Sequence, residues 1–129
     1  MIAFDTNLLI RYLTGDDEAQ CRKIDALIDA HNAEGAIFIS DVVLVEVEWV
    51  LRSVYEFPRS RILDALDRIA STAQFSFRDK ETLWRALKKY RDGNRDFSDC
   101  LIGEEGRRVG ARTYTFDKKL KNDRNFTVL

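Results

Sequence analysis

The chain has 129 residues, 45% hydrophobic and 33% charged, with a formal net charge of −1. That length suits one domain over residues 1–129, burying roughly two-thirds of the surface its unfolded chain exposes, and the composition excludes disorder. The near-zero charge excludes a global basic field for tight nonspecific nucleic-acid binding, while a local basic groove stays open.

The start Ile2-Ala3-Phe4 is short and apolar and ends at Asp5, which suits a buried strand. Thr6 to Leu13 then reads as a short helix stopped near Gly15. Asp17 with Gln20 forms a capping-box pattern for the next helix, whose Cys21, Ile24, Leu27 and Ile28 recur at helical spacing. Ala36-Ile37-Phe38-Ile39 is a second run of strand length. Ser40 or Asp41 caps a third helix that runs to about Tyr55 or Glu56. Pro58 suits the first turn of a helix from Ile62 to about Ala70. Phe75-Ser76-Phe77 alternates as a short strand does, and Asp79 caps a helix through Leu83, Trp84 and Leu87 to Tyr90. A further helix spans Phe97 to Val109, followed by strands at Thr113 to Phe116 and Phe126 to Leu129.

Strands alternating with helices, without tight hairpin signals, predict an α/β domain. Its central sheet is mostly parallel, with about four to five strands flanked by helices. Ligands collect at the carboxyl ends of strands in such sheets. Cys21 and Cys100 lie far apart, and the chain has one histidine, so zinc ligation is excluded and both thiols read as reduced in a cytoplasm. Arg11 and Asp16 break the early apolar stretch, which predicts neither a signal peptide nor a membrane span.

The acids carry the functional information. Asp5 and Asp117 each close an apolar strand, Glu46 interrupts the run Val42-Val43-Leu44-Val45-Glu46-Val47, and Asp96 and Asp99 open the Phe97 helix. Burying several carboxylates together is costly unless a cation neutralises them. These acids are therefore expected to converge on one edge and to hold a divalent metal. Counting about 100° per residue from Val43 puts Val47, Val50 and Val54 on one stripe. Glu46 falls at its margin, about 60° away, and Glu48 points outward at about 140°. Val42, Val45 and Trp49 make a second apolar flank, expected to meet a partner, most simply a second copy of the chain. On the 97–109 helix, Asp99 shares a face with Ile102, Gly103, Gly106 and Gly110, whose small residues allow close packing, while Glu104 and Glu105 point elsewhere.

Each acid taken singly also has a structural reading. Asp5 can cap the first helix, Asp96 can be an N-cap with Asp99 in the first turn, and Asp117 can be a turn residue before Lys118-Lys119. Glu46 has no such capping role. His31 reads as a C-terminal-turn residue. Ser40, Ser98 and Thr115 lack a nearby histidine for a nucleophilic triad. No Walker loop or GxGxxG is present, so no nucleotide cofactor is expected. The cations Arg107, Arg108, Arg112, Lys118, Lys119 and Lys121 read as a solvated surface, with phosphate binding beside the acids as the alternative.

Asp5-Thr6-Asn7 after the first strand, Glu46 in the third helix, Asp96-Phe97-Ser98-Asp99-Cys100-Leu101-Ile102, and Thr115-Phe116-Asp117 stand in this order. The pattern resembles PIN-domain ribonucleases, and most closely the VapC-type toxins of bacterial toxin–antitoxin modules. The resemblance covers the whole chain. It implies a Mg²⁺- or Mn²⁺-dependent endoribonuclease, a homodimer, an RNA substrate and an inhibitory antitoxin. Carried over by position, Asp5, Glu46, Asp99 and Asp117 are the catalytic and metal-binding acids. Asp96 is auxiliary, and Thr6, Asn7 and Thr115 are supporting polar residues. Cys100-Leu101-Ile102-Gly103 departs from the alanines commoner there, which alters packing. Two other readings compete: an aspartate-based phosphatase or phosphotransferase, and a non-catalytic RNA- or protein-binding α/β module. Haloacid-dehalogenase-like enzymes show Asp-x-Asp after the first strand, whereas here the residue two past Asp5 is Asn7.

Overall fold

Side-chain caps set where the first helices begin. The structure, a computed structural model, describes residues 1–129. Asp5 starts α1 (Thr6–Thr14), Asp17 starts α2 (Glu18–Ala30) and Ser40 starts α3 (Asp41–Ser53). Each cap side chain accepts the backbone N–H three residues on, satisfying a donor the helix leaves unpaired. Helix α1 stops at Gly15, whose φ of 67° is a left-handed turn that favours glycine. Helix α3 ends slightly before the predicted Tyr55 or Glu56. There Glu56 takes a φ of 55° and the Phe57 N–H reaches back to the Leu51 carbonyl. Pro58 then leads into α4 (Arg59–Ser71).

The chain divides into two units, Met1–Arg78 and Asp79–Leu129. In the first, strands β1 (Ile2–Ala3), β2 (Ile37–Phe38) and β3 (Phe75–Ser76) form a parallel sheet in that order. Ile2 pairs with Ile37, and Ile37 with Phe75. Phe4, Leu9, Ile37, Ile39, Leu44 and Leu51 are buried around it. In the second unit, α5 (Lys80–Asp92) packs on α6 (Phe97–Arg108). Leu83, Leu87 and Tyr90 are buried from one helix, and Phe97, Cys100 and Leu101 from the other. Tyr90 and Phe97 meet edge to face at 5.8 Å. Strands β4 (Thr113–Thr115) and β5 (Phe126–Val128) form a parallel pair, with a 3-10 turn at Lys118–Leu120 between them.

The α/β class and the parallel pairing agree with the sequence reading, and all five predicted strands form. They are only two or three residues long and fall into one three-stranded and one two-stranded sheet. No helix is long and apolar enough to cross a membrane.

Two helix faces differ from expectation. The buried stripe of α3 is Leu44, Val47, Glu48 and Leu51, so it is centred one residue later than a count from Val43 places it. Glu48, expected in solvent, is only 4% exposed; Arg52, one turn on, neutralises it with Nε 2.8 Å from a carboxylate oxygen. Glu46, expected at the core margin, is exposed. On α6, Glu104, which the sequence placed only off the Asp99 face, is buried, and Lys89, Arg107 and Asn125 surround its carboxylate. Ile102 is exposed, while the close approach predicted at Gly103 and Gly106 is present. A Cβ at 103 would lie 2.7 Å from the Phe126 ring, and one at 106 would lie 2.7 Å from Thr113 Oγ1.

Candidate active site

In the first unit the candidate residues gather where β1 hands over to α1. Asp5 follows the strand in extended backbone, and its Oδ1 accepts the Leu8 N–H at 2.9 Å. The capping role is thus real, and it also fixes how the carboxylate points. The next residue, Thr6, donates its hydroxyl to Glu46 Oε1 at 3.0 Å, which brings the α3 acid to the neighbour of Asp5. Asn7 is exposed and lines a cavity of about 390 Å³ with Leu8, Arg11, Gln20, Lys23 and Ile24.

In the second unit Asp96 occupies the N-cap position of α6, yet its side chain makes no capping hydrogen bond. Asp99 lies in the first turn and is half-buried. Burial pushes the Asp99 carboxyl above its ordinary value, the negative charges of Asp96 and Asp117 push it further, and Lys119 opposes them. Asp117 follows β4 and caps the 3-10 turn, accepting the Lys119 N–H at 3.0 Å. Thr115 accepts the Asp117 N–H through its hydroxyl at 3.0 Å, so the supporting threonine holds the turn that presents the acid.

The structure separates these acids from the structural ones. Glu48 pairs with Arg52, Glu104 with Lys89 and Arg107, and Asp123 with Lys89 and Arg95. Each is buried and neutralised. Asp99 instead stands among like charges. Folding rarely accumulates such repulsion without use, because perturbed carboxylates cluster where chemistry or ligand binding needs them.

The donor set suits a hard divalent cation, since every candidate acid offers carboxylate oxygen. The like-charge field at Asp99 is what a cation relieves. Within neither unit do three or more His, Cys, Asp or Glu side chains assemble into a group that could hold a metal ion.

The network of Lys89, Arg95, Glu104, Asp123 and Asn125 was not singled out by the sequence reading. Its signal was available at Glu104, which continues the buried α6 series Phe97, Cys100, Leu101 at i+7, i+4 and i+3. Asp123 and Asn125 had no comparable signal, because Asn122-Asp123-Arg124-Asn125 has the composition of a solvated turn. Arg112, read as a surface cation, proves structural. Its guanidinium bonds Thr127 Oγ1 and the carbonyls of Arg124 and Phe126. His31 sits at the C-terminus of α2, as expected, with Nδ1 2.9 Å from the Leu27 carbonyl oxygen.

Comparison with known proteins covers nearly the whole chain. The profile of the PIN domain matches residues 2–124, a span that includes all the candidate acids. A VapC ribonuclease of Aquifex aeolicus (strain VF5) is 24% identical over 123 residues, covering 94% of this chain and 90% of that protein.

Proposed function

Because the chain belongs to the PIN-domain family, we propose that it is an endoribonuclease hydrolysing phosphodiester bonds in RNA. Its reactive carboxylates are Asp5, Glu46, Asp99 and Asp117, and residues 1–129 act as one nuclease domain. The observation that supports this most is half-buried Asp99, which follows Asp96 at the start of α6 and feels the negative charges of Asp96 and Asp117, while the buried Glu48 and Asp123 have cationic partners.

Asp5, Glu46, Asp99 and Asp117 are the residues that would hold Mg²⁺ or Mn²⁺. A divalent ion, when bound, makes water a hydroxide-like nucleophile and offsets charge developing on the phosphate. The chain's own contribution is orientation. Leu8 N–H fixes Asp5, the Thr6 hydroxyl fixes Glu46, and the Thr115 hydroxyl fixes the turn that carries Asp117. Asp96 adds negative charge beside Asp99 and has an auxiliary role. Asn7 supports the Asp5 turn.

The similarity to a VapC ribonuclease supports the toxin role in a type II toxin–antitoxin pair, with an antitoxin as inhibitor and the cytoplasm as its place of action. Val42 and Trp49 on α3 are 68% and 54% exposed, which supports a protein contact there. A second copy of the chain is the occupant this reading assigns to it. The test is cleavage of single-stranded RNA by the purified chain. Activity is lost in a chelator and restored by Mn²⁺; cleavage unaffected by the chelator overturns the metal dependence.

A further inference from the structure

Strand β4 and the bend that follows it leave two aromatic side chains largely in water. Tyr114 is 64% exposed and Phe116 80%. The period of two along β4 sends Thr113 towards α6, where its hydroxyl meets Gly106, and sends Tyr114 to the opposite side. Phe116, one residue past the strand, sits in the bend that leads to Asp117 and is the more exposed of the two. Burying rings of this size is favourable, so leaving two in water has a cost that packing elsewhere could have avoided.

The surroundings indicate what covers them. Phe116 is bonded directly to Asp117, and Asp117 and Lys119 both act on the charge of Asp99. Lys118 and Lys119 are exposed immediately beyond the rings. Arg112 reaches Thr127, the β5 residue paired with Tyr114. Flat apolar faces edged by cations, next to candidate hydrolytic carboxylates, match unpaired bases joined by phosphates.

We infer that Tyr114 and Phe116 form a stacking platform for unpaired RNA bases flanking the phosphodiester to be cut. Lys118 and Lys119 neutralise the adjoining phosphates. This rests on the nuclease reading above and adds to it the side chains that hold the bases of the substrate. Stacking is sequence-tolerant, because every base has a π-face.

The test uses the full chain with Asp99→Asn to prevent cleavage, and a fluorescein-labelled, unstructured twelve-nucleotide RNA read by polarisation. The same strand in a duplex is the control. The unpaired strand is expected to bind more tightly than the duplex. Phe116→Ala or Tyr114→Ala weakens that binding roughly 5- to 150-fold, as loss of one stacked base does. Phe116→Leu, apolar without a ring, behaves like the alanine variant, and Phe116→Trp retains affinity. In the cleavage-competent chain, Phe116→Ala raises KM more than it lowers kcat.

Equal binding and cutting by wild type and Phe116→Ala overturns the platform and leaves the nuclease reading standing. A wild type that neither binds nor cuts RNA overturns both. Unchanged RNA affinity with a lowered oligomeric mass in sedimentation overturns the platform and makes the face a protein contact.

Discussion

Thr6 on α1 and Glu46 on α3, forty residues apart in the chain, are joined by a 3.0 Å hydrogen bond from hydroxyl to carboxylate. The contact restricts Glu46, which is otherwise an exposed side chain with many rotamers. Residues that orient a ligand or catalytic group typically contribute on the order of 10- to 100-fold in affinity or activity. Thr6→Val should therefore reduce RNA cleavage on the order of 10- to 100-fold at limiting Mn²⁺, with partial recovery at saturating Mn²⁺. Thr6→Ser keeps the hydroxyl and should retain activity. Steady-state cleavage across a Mn²⁺ titration checks both.

Glu46 and Glu48 are neighbours on one helix with opposite assignments. Glu46→Gln should lower cleavage and leave the melting temperature near that of wild type. Glu48→Ala should leave a cavity and remove the ion pair to Arg52, costing about 1–3 kcal/mol of stability with activity retained in the folded fraction. Thermal denaturation beside a cleavage assay distinguishes the pair; a reversed pattern contradicts the assignment.

Both glutamates show how far the sequence was legible. The element types, the parallel α/β class and the placement of acids at strand ends and helix starts follow from period and capping residues, as at Ile2-Ala3-Phe4 and Asp17. The buried face of α3 did not. Its run of valines lets several helical stripes look apolar, and a count from Val43 instead of Leu44 exchanges the fates of Glu46 and Glu48. The same occurred on α6, where counting from Asp99 concealed Glu104. Glu48 has its cation one turn on in Arg52, but the burial of Glu104 and Asp123 also depends on Lys89, and that of Asp123 on Arg95, which come from outside their own segments. Spacing alone does not encode that arrival.

Asp123 gives a pH dependence with a definite sign. Burial alone would raise its carboxyl, but the Lys89 hydrogen bond, the Asn125 N–H and the charges of Lys89 and Arg95 outweigh it and hold it below the ordinary value. The unfolded state then binds the proton more tightly. The stabilisation is full above the unfolded value of about 3.9 and is lost as pH falls through the lower folded value. Asp123→Asn should cost about 1–3 kcal/mol at pH 7. The gap to wild type should narrow below about pH 4. Denaturant unfolding at pH 7, 5, 4 and 3 reads this directly, and a gap that widens on acidification contradicts it.

The glycines of α6 make a matched pair. Gly103→Ala drives a methyl to 2.7 Å from the rigid Phe126 ring and 3.2 Å from Asn125 Cβ. Overpacking of that kind should cost about 1–3 kcal/mol. Gly106→Ala meets the Thr113 hydroxyl at 2.7 Å, with the Ala111 carbonyl at an ordinary 3.6 Å; a χ1 turn of Thr113 relieves the contact and helix propensity of about 0.5–1 kcal/mol offsets it, so the variant should lose less stability than Gly103→Ala. Melting temperatures of the two variants give the comparison.

The most direct measurement is mapping of RNA 5′ ends after incubation with purified wild type and with Asp99→Asn. Removing one charge from the Asp96–Asp99–Asp117 group relieves repulsion, so the variant should melt at or above wild type. Wild type should give new ends at discrete positions, and this well-folded variant none. The same ends from both proteins, with contaminating nucleases excluded, would contradict the assignment of Asp99.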